Sequence, residues 1–342
     1  MTTRPSSRVT ARGAVLCLVS ASGFGLAPVF AKQAFATGAG VTTVLTARFA
    51  LAAAVFWAVV LCRRPRRPHG RTLPAGLARG RTLPAGLALG AVGYAVQSAA
   101  YFGAVTRIDA SLAALLLYAY PAVVTLLALA LRRESPDRYR LAALVCSALG
   151  VLFLLGPGGA GPGADTAGVL LALGAAVTYA LYLTAAGHLV KSLDLPLLSA
   201  LVCTGACASL AVFGTATGGL RLPSEPAWTW IGLLALCSTV VPVLCLFAGT
   251  RALGAPTAAI LSCTEVLVTV AAGAFCYGDR LTAGRVSGAV AVFASVVIVE
   301  HGRRRRERPR VEAPRPDRAR RATARTEAPA PKGGTPQAVH RK

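Results

Sequence analysis

Ten apolar stretches of roughly membrane-spanning length follow one another along this chain, joined by loops too short to hold a water-soluble domain. They cover residues 13–31, 41–62, 85–105, 110–131, 141–157, 167–189, 195–217, 227–249, 255–277 and 286–299, the fifth and tenth being the shortest. A helix rises about 1.5 Å per residue, so about 20 apolar residues cross roughly 30 Å of hydrocarbon while satisfying their own backbone hydrogen bonds. The expected fold is an all-α polytopic membrane protein, with its function inside a helix bundle. Spans 3, 6 and 9 are crowded with Ala, Gly, Ser and Thr, which lets helix backbones approach closely in lipid.

A mean hydropathy of +0.60 and 55% hydrophobic residues exclude an ordinary soluble domain. The net charge of +23 invites a nucleic-acid partner, but its placement argues against one. Residues 302–342 hold 14 Lys/Arg against 4 Asp/Glu, a net +10, and most other cations lie in alternate loops. With the amino terminus inside, the inner segments before the tail carry 16 Lys/Arg and the outer loops carry five, namely Lys32, Arg107, Arg221, Arg280 and Arg285. Cytoplasmic loops favour Lys and Arg, so both termini are expected in the cytoplasm and the chain in the inner (cytoplasmic) membrane. In the second half the loops alone give 2 inside against 3 outside, and there the tail decides. The basic loops and tail, including the Arg303–Arg306 run, are suited to anionic lipid.

The nine cysteines all lie in or at the edge of apolar spans, and Cys203 and Cys207, one helical turn apart, have no His or acidic partner nearby. They are expected to pack rather than to bind, and neither a metal nor a cofactor is predicted. The first span follows arginines as a signal peptide would, but its length and the weak Ala31-Lys32-Gln33-Ala34 context favour a retained helix.

Shifting the chain by 144 residues superposes Thr106-Arg107 on Thr250-Arg251, and matches Leu117 with Leu261, Val124 with Val268, and Thr125 with Thr269. Each copy leads through an apolar span to an acid, Glu134 or Asp279. Five spans separate the copies, and an odd number reverses orientation in the membrane. The expected plan is therefore two inverted-topology five-helix repeats, 13–157 and 167–299, with a 1–12 segment before them and a disordered basic tail, 302–342, after them. A smaller duplication, Arg71–Gly80 against Arg81–Gly90, differs only at Arg79 and Leu89 and lengthens the basic 63–84 loop.

On these residues the chain resembles the EamA-type drug/metabolite transporters over 13–299. The resemblance is carried by Ala47-Arg48-Phe49, by the unit from Ser111 through Pro121 to Glu134, and by Ala255 through Glu265 to Gly278-Asp279-Arg280-Leu281. The chain has Phe24-Gly25 where the family often has Trp-Gly, and Val266 where a proline usually follows the glutamate. It also has Gly278-Asp279 and Arg133-Glu134 in place of Gly-Glu. The resemblance implies a ten-helix secondary transporter, often an exporter of amino acids, other metabolites or drugs.

Two formally charged side chains lie well inside the spans. Glu265 stands 9 residues past Pro256, hence about 14 Å from the inner boundary, and Arg48 stands 7 residues into span 2, about 10 Å from the outer one. A buried charge is expensive and marks a pathway or a proton relay, although helix glue and snorkelling compete as explanations. Gln97, Tyr94 and Tyr101 in span 3, Tyr118 and Tyr120 in span 4, and Tyr179 and Tyr182 in span 6 offer polar handles. Pro121, like Gly25, Pro28 and Pro242, can loosen a helix beside a cavity. Glu265, Arg48, Gln97, Tyr94, Tyr120, Pro121 and Tyr179 are thus the candidates for substrate binding or coupling.

The histidines His69, His188, His301 and His340 all avoid the midplane and no GxxxxGK[ST] motif occurs, which argues against a membrane enzyme or nucleotide-driven transport. The expected function is proton-coupled export of a small metabolite or drug-like compound. The alternatives are a passive pore, a lipid translocator or a membrane-embedded enzyme. Substrate identity and oligomeric state are not legible.

Overall fold

The computed structural model of the protein describes residues 7–62, 75–131, 137–156, 165–189, 193–253 and 255–307. These are helical, with no strand among the described residues. The helices are α1 (Ser7–Gly25), α2 (Ala27–Ala36), α3 (Val41–Cys62), α4 (Ala75–Ala88), α5 (Ala95–Val105), α6 (Ala110–Leu117), α7 (Tyr120–Ala130) and α8 (Arg138–Leu155). They continue with α9 (Thr166–Leu189), α10 (Leu195–Ala216), α11 (Glu225–Ala235), α12 (Val241–Leu253), α13 (Ala255–Ser262), α14 (Thr264–Tyr277) and α15 (Ala283–Glu307).

Among the described residues, eight helical runs are long and apolar enough to cross a membrane: Ala11–Ala36, Val41–Cys62, Thr82–Val105, Ala110–Ala130, Arg138–Leu155, Thr166–Gly187, Leu195–Ala216 and Glu225–Leu253. Two shorter apolar helices, Thr264–Tyr277 and Ala283–Ile298, occupy the positions of spans 9 and 10. Side chains such as Phe275 (94% exposed) and Val212 (69%) stand on the outside of the bundle, where lipid tails cover them. The expectations for the 308–342 part of the tail, for Glu134, for residues 63–74 and for the 157–164 loop fall outside the described residues.

Two expectations change. Lys32, assigned to an outer loop, lies in α2, because the first span runs on to Ala36. There its Nζ sits 4.8 Å from the centre of the Tyr277 ring, a cation over an aromatic face at the helix end. The basic 63–84 loop is also partly helix, with Arg79 and Arg81 within α4.

Several spans are interrupted, for identifiable chemical reasons. Between α1 and α2 the break at Leu26 precedes Pro28, and between α6 and α7 the break at Tyr118-Ala119 precedes Pro121, each proline lacking the N–H that would continue the ladder. At Cys263 no proline is present. Instead Ser262 Oγ donates to Ala258 O (2.9 Å) and Thr264 Oγ1 to Leu261 O (2.7 Å), so side chains take up carbonyls around the break. Two π-helical turns complete the set, at Leu89–Tyr94 and Leu236–Val240, the second leading into Pro242. The breaks at Ala119 and Cys263 lie 144 residues apart, the shift of the sequence match.

Packing follows a regular plan. α3 lies against α10, α1 against α12 and α14, and α9 against α5, α6 and α7, while α6 meets α14. Close contact needs glycine. A Cβ on Gly90 would collide with the carbonyl of Val202, and a Cβ on Gly205 with the carbonyl of Leu87, so the π turn and α10 touch backbone to backbone. Gly205→Ala is expected to lower the thermal midpoint in detergent by the equivalent of about 1–3 kcal/mol of overpacking. Gly174→Ala, where nothing stands within 4 Å of the new methyl, should leave the midpoint unchanged or raised. Equal midpoints for the two variants would contradict the packing account.

Candidate functional site

Four of the five helix interruptions contribute to one cavity of about 300 Å³, at the small end of ligand-binding pockets. Its walls come from both halves of the chain: Phe24 and Ala27 flank the first break, Tyr118 and Tyr120 the second, Cys263 and Glu265 the third. Interrupted helices present polar groups at membrane depth because the freed backbone faces a cavity rather than lipid.

Glu265 sits in the first turn of α14 and is only partly covered, since it faces the cavity, and the Tyr118 hydroxyl lies beside its carboxylate. The backbone there is gripped by α1. A Cβ on Gly25 would stand 2.7 Å from Glu265 O, and Thr269 Oγ1 donates both to Gly25 O (2.9 Å) and to Glu265 O (3.1 Å). The absence of a side chain at Gly25 is therefore what allows the first break to seat on Glu265.

Arg48, 4% exposed, projects from α3. Its Nε donates to Thr239 Oγ1 (2.9 Å), and Thr239 Oγ1 donates on to Leu234 O (3.0 Å), a carbonyl next to the second π turn. The guanidinium lies over the rings of Phe49 (5.3 Å) and Phe102 (5.2 Å). Among the described residues no hydrogen bond uses its terminal nitrogens, and Arg48 lines the cavity. This leaves a planar fork of donors on a residue of the cavity wall, suited to a carboxylate or similar anion. Arg48 and Glu265 line the same cavity but form no ion pair with each other among the described residues, and Tyr101 lies within electrostatic reach of both.

Between the two charges runs a continuous chain of aromatic rings. Phe49 meets Tyr94 (5.3 Å between centroids), Tyr94 meets Tyr182 (5.3 Å), Tyr182 stacks on Tyr179 (6.0 Å), Tyr179 meets Tyr120 edge-on (4.8 Å) and Tyr120 meets Tyr118 (5.8 Å). The chain begins beside Arg48 and ends beside Glu265, and the four of its rings that line the cavity, Tyr94, Tyr179, Tyr120 and Tyr118, suit the apolar body of a small organic molecule.

Of the residues singled out from sequence, Glu265, Arg48, Gln97, Tyr94, Tyr120 and Tyr179 line this cavity, with Tyr101 and Tyr118. Pro121 does not; it lies in the first turn of α7, where its carbonyl accepts from Thr125 Oγ1 (2.9 Å). Sequence reasoning missed Thr239, Ser98, Ser262 and Phe102. Ser98 Oγ donates to Gln97 Oε1 (3.2 Å), and nothing distinguishes these residues from the many other hydroxyls and rings of the spans. Outside the bundle, Arg107 pairs with Asp165 (2.9 Å) and, with the Ala167 N–H, holds its carboxyl below the usual carboxylate range; the pair is exposed and contributes little to stability.

Comparison with known proteins agrees with this picture. A profile of the EamA-like transporter family matches residues 11–156 and again residues 166–300. "Uncharacterized transporter YcbK" of Bacillus subtilis (strain 168) is 25% identical over 301 residues, covering 86% of this chain and 94% of the relative. One solved crystal structure, 20% identical, aligns with a TM-score of 0.56 over 88% of this chain and 99% of its own, a likeness of fold alone. The chain belongs to the EamA-like transporter family, and is a multi-pass membrane transporter of the drug/metabolite transporter superfamily rather than an enzyme.

Proposed function

We propose that the protein is a proton-coupled exporter of a small anionic or zwitterionic metabolite or drug-like compound. It is built as two inverted five-helix halves, 13–157 and 167–299, with both termini and the 302–342 tail on the cytoplasmic side of the inner membrane. The observation that carries the proposal is a cavity within the helix bundle, with the guanidinium of Arg48 at one end of a ring chain and the carboxylate of Glu265 at the other. Arg48 holds the anionic end of the substrate, the tyrosine chain receives its apolar body, and Glu265 exchanges a proton as the cavity changes side.

The two-halved plan is supported by the way elements pair. Exchanging each span with the one five places on converts α1 against α12 into α9 against α5, and α1 against α14 into α9 against α6 and α7, while α3 against α10 maps onto itself. The interruptions repeat likewise: a π turn in spans 3 and 8, a break in spans 4 and 9. Such halves can rock about a central site and expose it to each side in turn.

Screening compounds in inverted vesicles, with and without a pH gradient, tests the proposal. The expected result is accumulation of a carboxylate-bearing compound only when the gradient is present. Equilibration without accumulation would point to a passive pore, and movement of lipid alone to a lipid translocator.

A further inference from the structure

The two half-helices at the cavity, α6 and α13, have equal lengths of eight residues and corresponding positions in the 144-residue repeat, yet they are buried differently. Residues Ala110–Leu116 of α6 are all exposed by 3% or less. Among the described side chains of α13, Thr257 is exposed and Ser262 partly so where their counterparts Ala113 and Tyr118 are buried, while Ala258 is buried like Ala114 and Leu261 is partly exposed like Leu117. Such a difference between equivalent positions, at Thr257 and Ser262, is what one end state of a rocking pair looks like: sealed at the α6 face, looser at the α13 face.

The sealed face carries a cluster of side chains that the substrate site does not use. Asp279, 8% exposed, accepts from both the backbone N–H (3.2 Å) and the hydroxyl of Ser111, in the first turn of α6. Gly278, at φ 67°, turns the chain out of α14 in the left-handed conformation and so delivers Asp279, and a Cβ on Gly273 would reach within 2.5 Å of its carboxylate. Alongside, Arg285, 5% exposed, pairs with Asp109 and donates to Arg280 O (3.1 Å). Both links tie the start of span 4 in one half to the segment after span 9 in the other. At the opposite face the repeat places Ala255 where Ser111 stands and Pro256 after it, so that position offers no hydroxyl and its neighbour no N–H.

We propose that the Asp279–Ser111 and Arg285–Asp109 links form the outer gate of the transporter, closed in this structure and broken when the cavity opens outward. The gate presupposes the two-halved transporter and the topology proposed above. A carboxylate held by two donors in a dry contact is favourable only while the contact stays shut. Once water enters, it competes for every bond, so the gate favours two states over intermediate ones.

The test uses the full-length chain with its nine cysteines replaced and Ser262→Cys added as a reporter in the cavity wall, in vesicles of either orientation, with an impermeant thiol reagent. The reporter is expected to react from the cytoplasmic face at least about tenfold faster than from the outer face. Ser111→Ala and Asp279→Asn should each raise the outer-face rate by about tenfold, the factor that one hydrogen bond to a charged group is worth. Outer-face rates unchanged in both variants, or a reporter that reacts faster from outside before any substitution, would overturn the gate. Should Asp279→Asn fail to fold, Ser111→Ala removes only a hydroxyl and decides alone. The readout needs no substrate, so its failure leaves the transporter proposal standing, whereas that proposal fails separately if the vesicle screen finds no compound moved.

Discussion

Glu265→Gln is expected to leave a folded protein that still binds its substrate and no longer concentrates it. Glutamine keeps the size and hydrogen-bonding capacity of the protonated acid, so the seat built by Gly25 and Thr269, whose contacts are to the Glu265 backbone, should persist. What disappears is the ability to take up and release a proton. A gradient of one pH unit is worth about 1.4 kcal/mol per proton, so a one-proton exchanger sustains about tenfold accumulation across it. Parent vesicles should therefore reach about tenfold, and the variant a ratio of about one, with binding changed only slightly. The motive for assigning this role is energetic: even on lenient insertion scales a carboxylate at a helix centre is penalised by about 2.5–3.5 kcal/mol, and this one faces a cavity rather than an ion-pair partner. A Glu265→Gln protein that still concentrates substrate with the same pH dependence would reduce Glu265 to a packing residue.

Arg48→Ala should weaken binding by about two orders of magnitude, the scale expected when one partner of a desolvated, hydrogen-bonded charge pair is removed. Arg48→Lys should recover little of this. A lysine ammonium cannot reproduce the geometry in which Nε is fixed by Thr239 and the guanidinium plane lies over Phe49 and Phe102 while the terminal nitrogens meet the ligand. Binding measured on purified protein with a compound from the vesicle screen gives the comparison. A change of less than about threefold in Arg48→Ala would mean that the fork does not touch the substrate, since a charged hydrogen bond is worth more.

How far the sequence could be read depended on whether a signal was local. Arg48 and Glu265 stood out because charges well inside the apolar runs are rare and costly, and both line the cavity. The breaks near Gly25 and Pro121 were foreseeable from residue chemistry, while the π turn at Leu89–Tyr94 contains no proline and gave no warning. Thr239 was invisible because its partner lies 191 residues away, and one threonine in a membrane span resembles another. Tyr182 was named only as one of several tyrosines; its place as the link from Tyr94 to Tyr179 depends on how the π turn at Leu89–Tyr94 packs on α9. Lys32 was misplaced because an apolar stretch ends where its hydrophobicity ends, whereas the helix ends where its capping bonds are made, here with Thr37 Oγ1 donating to Ala34 O (2.7 Å). Ser111 and Asp279 belonged to the recognised repeat units, but only the fold brings the two together.

With a fixed positive charge at one end of the ring chain and an ionisable acid at the other, the empty cavity is an oriented electric field. In the proposed transport cycle a molecule that enters is turned before it is held, its negative pole toward Arg48, and an apolar molecule without a dipole gains nothing from the alignment. Protonation of Glu265 switches off one pole and leaves the other, so the same chamber alternates between gripping a dipole and gripping only an anion. In that scheme a single carboxyl changes both how strongly a passenger is retained and which way round it leaves, in addition to any movement of the walls.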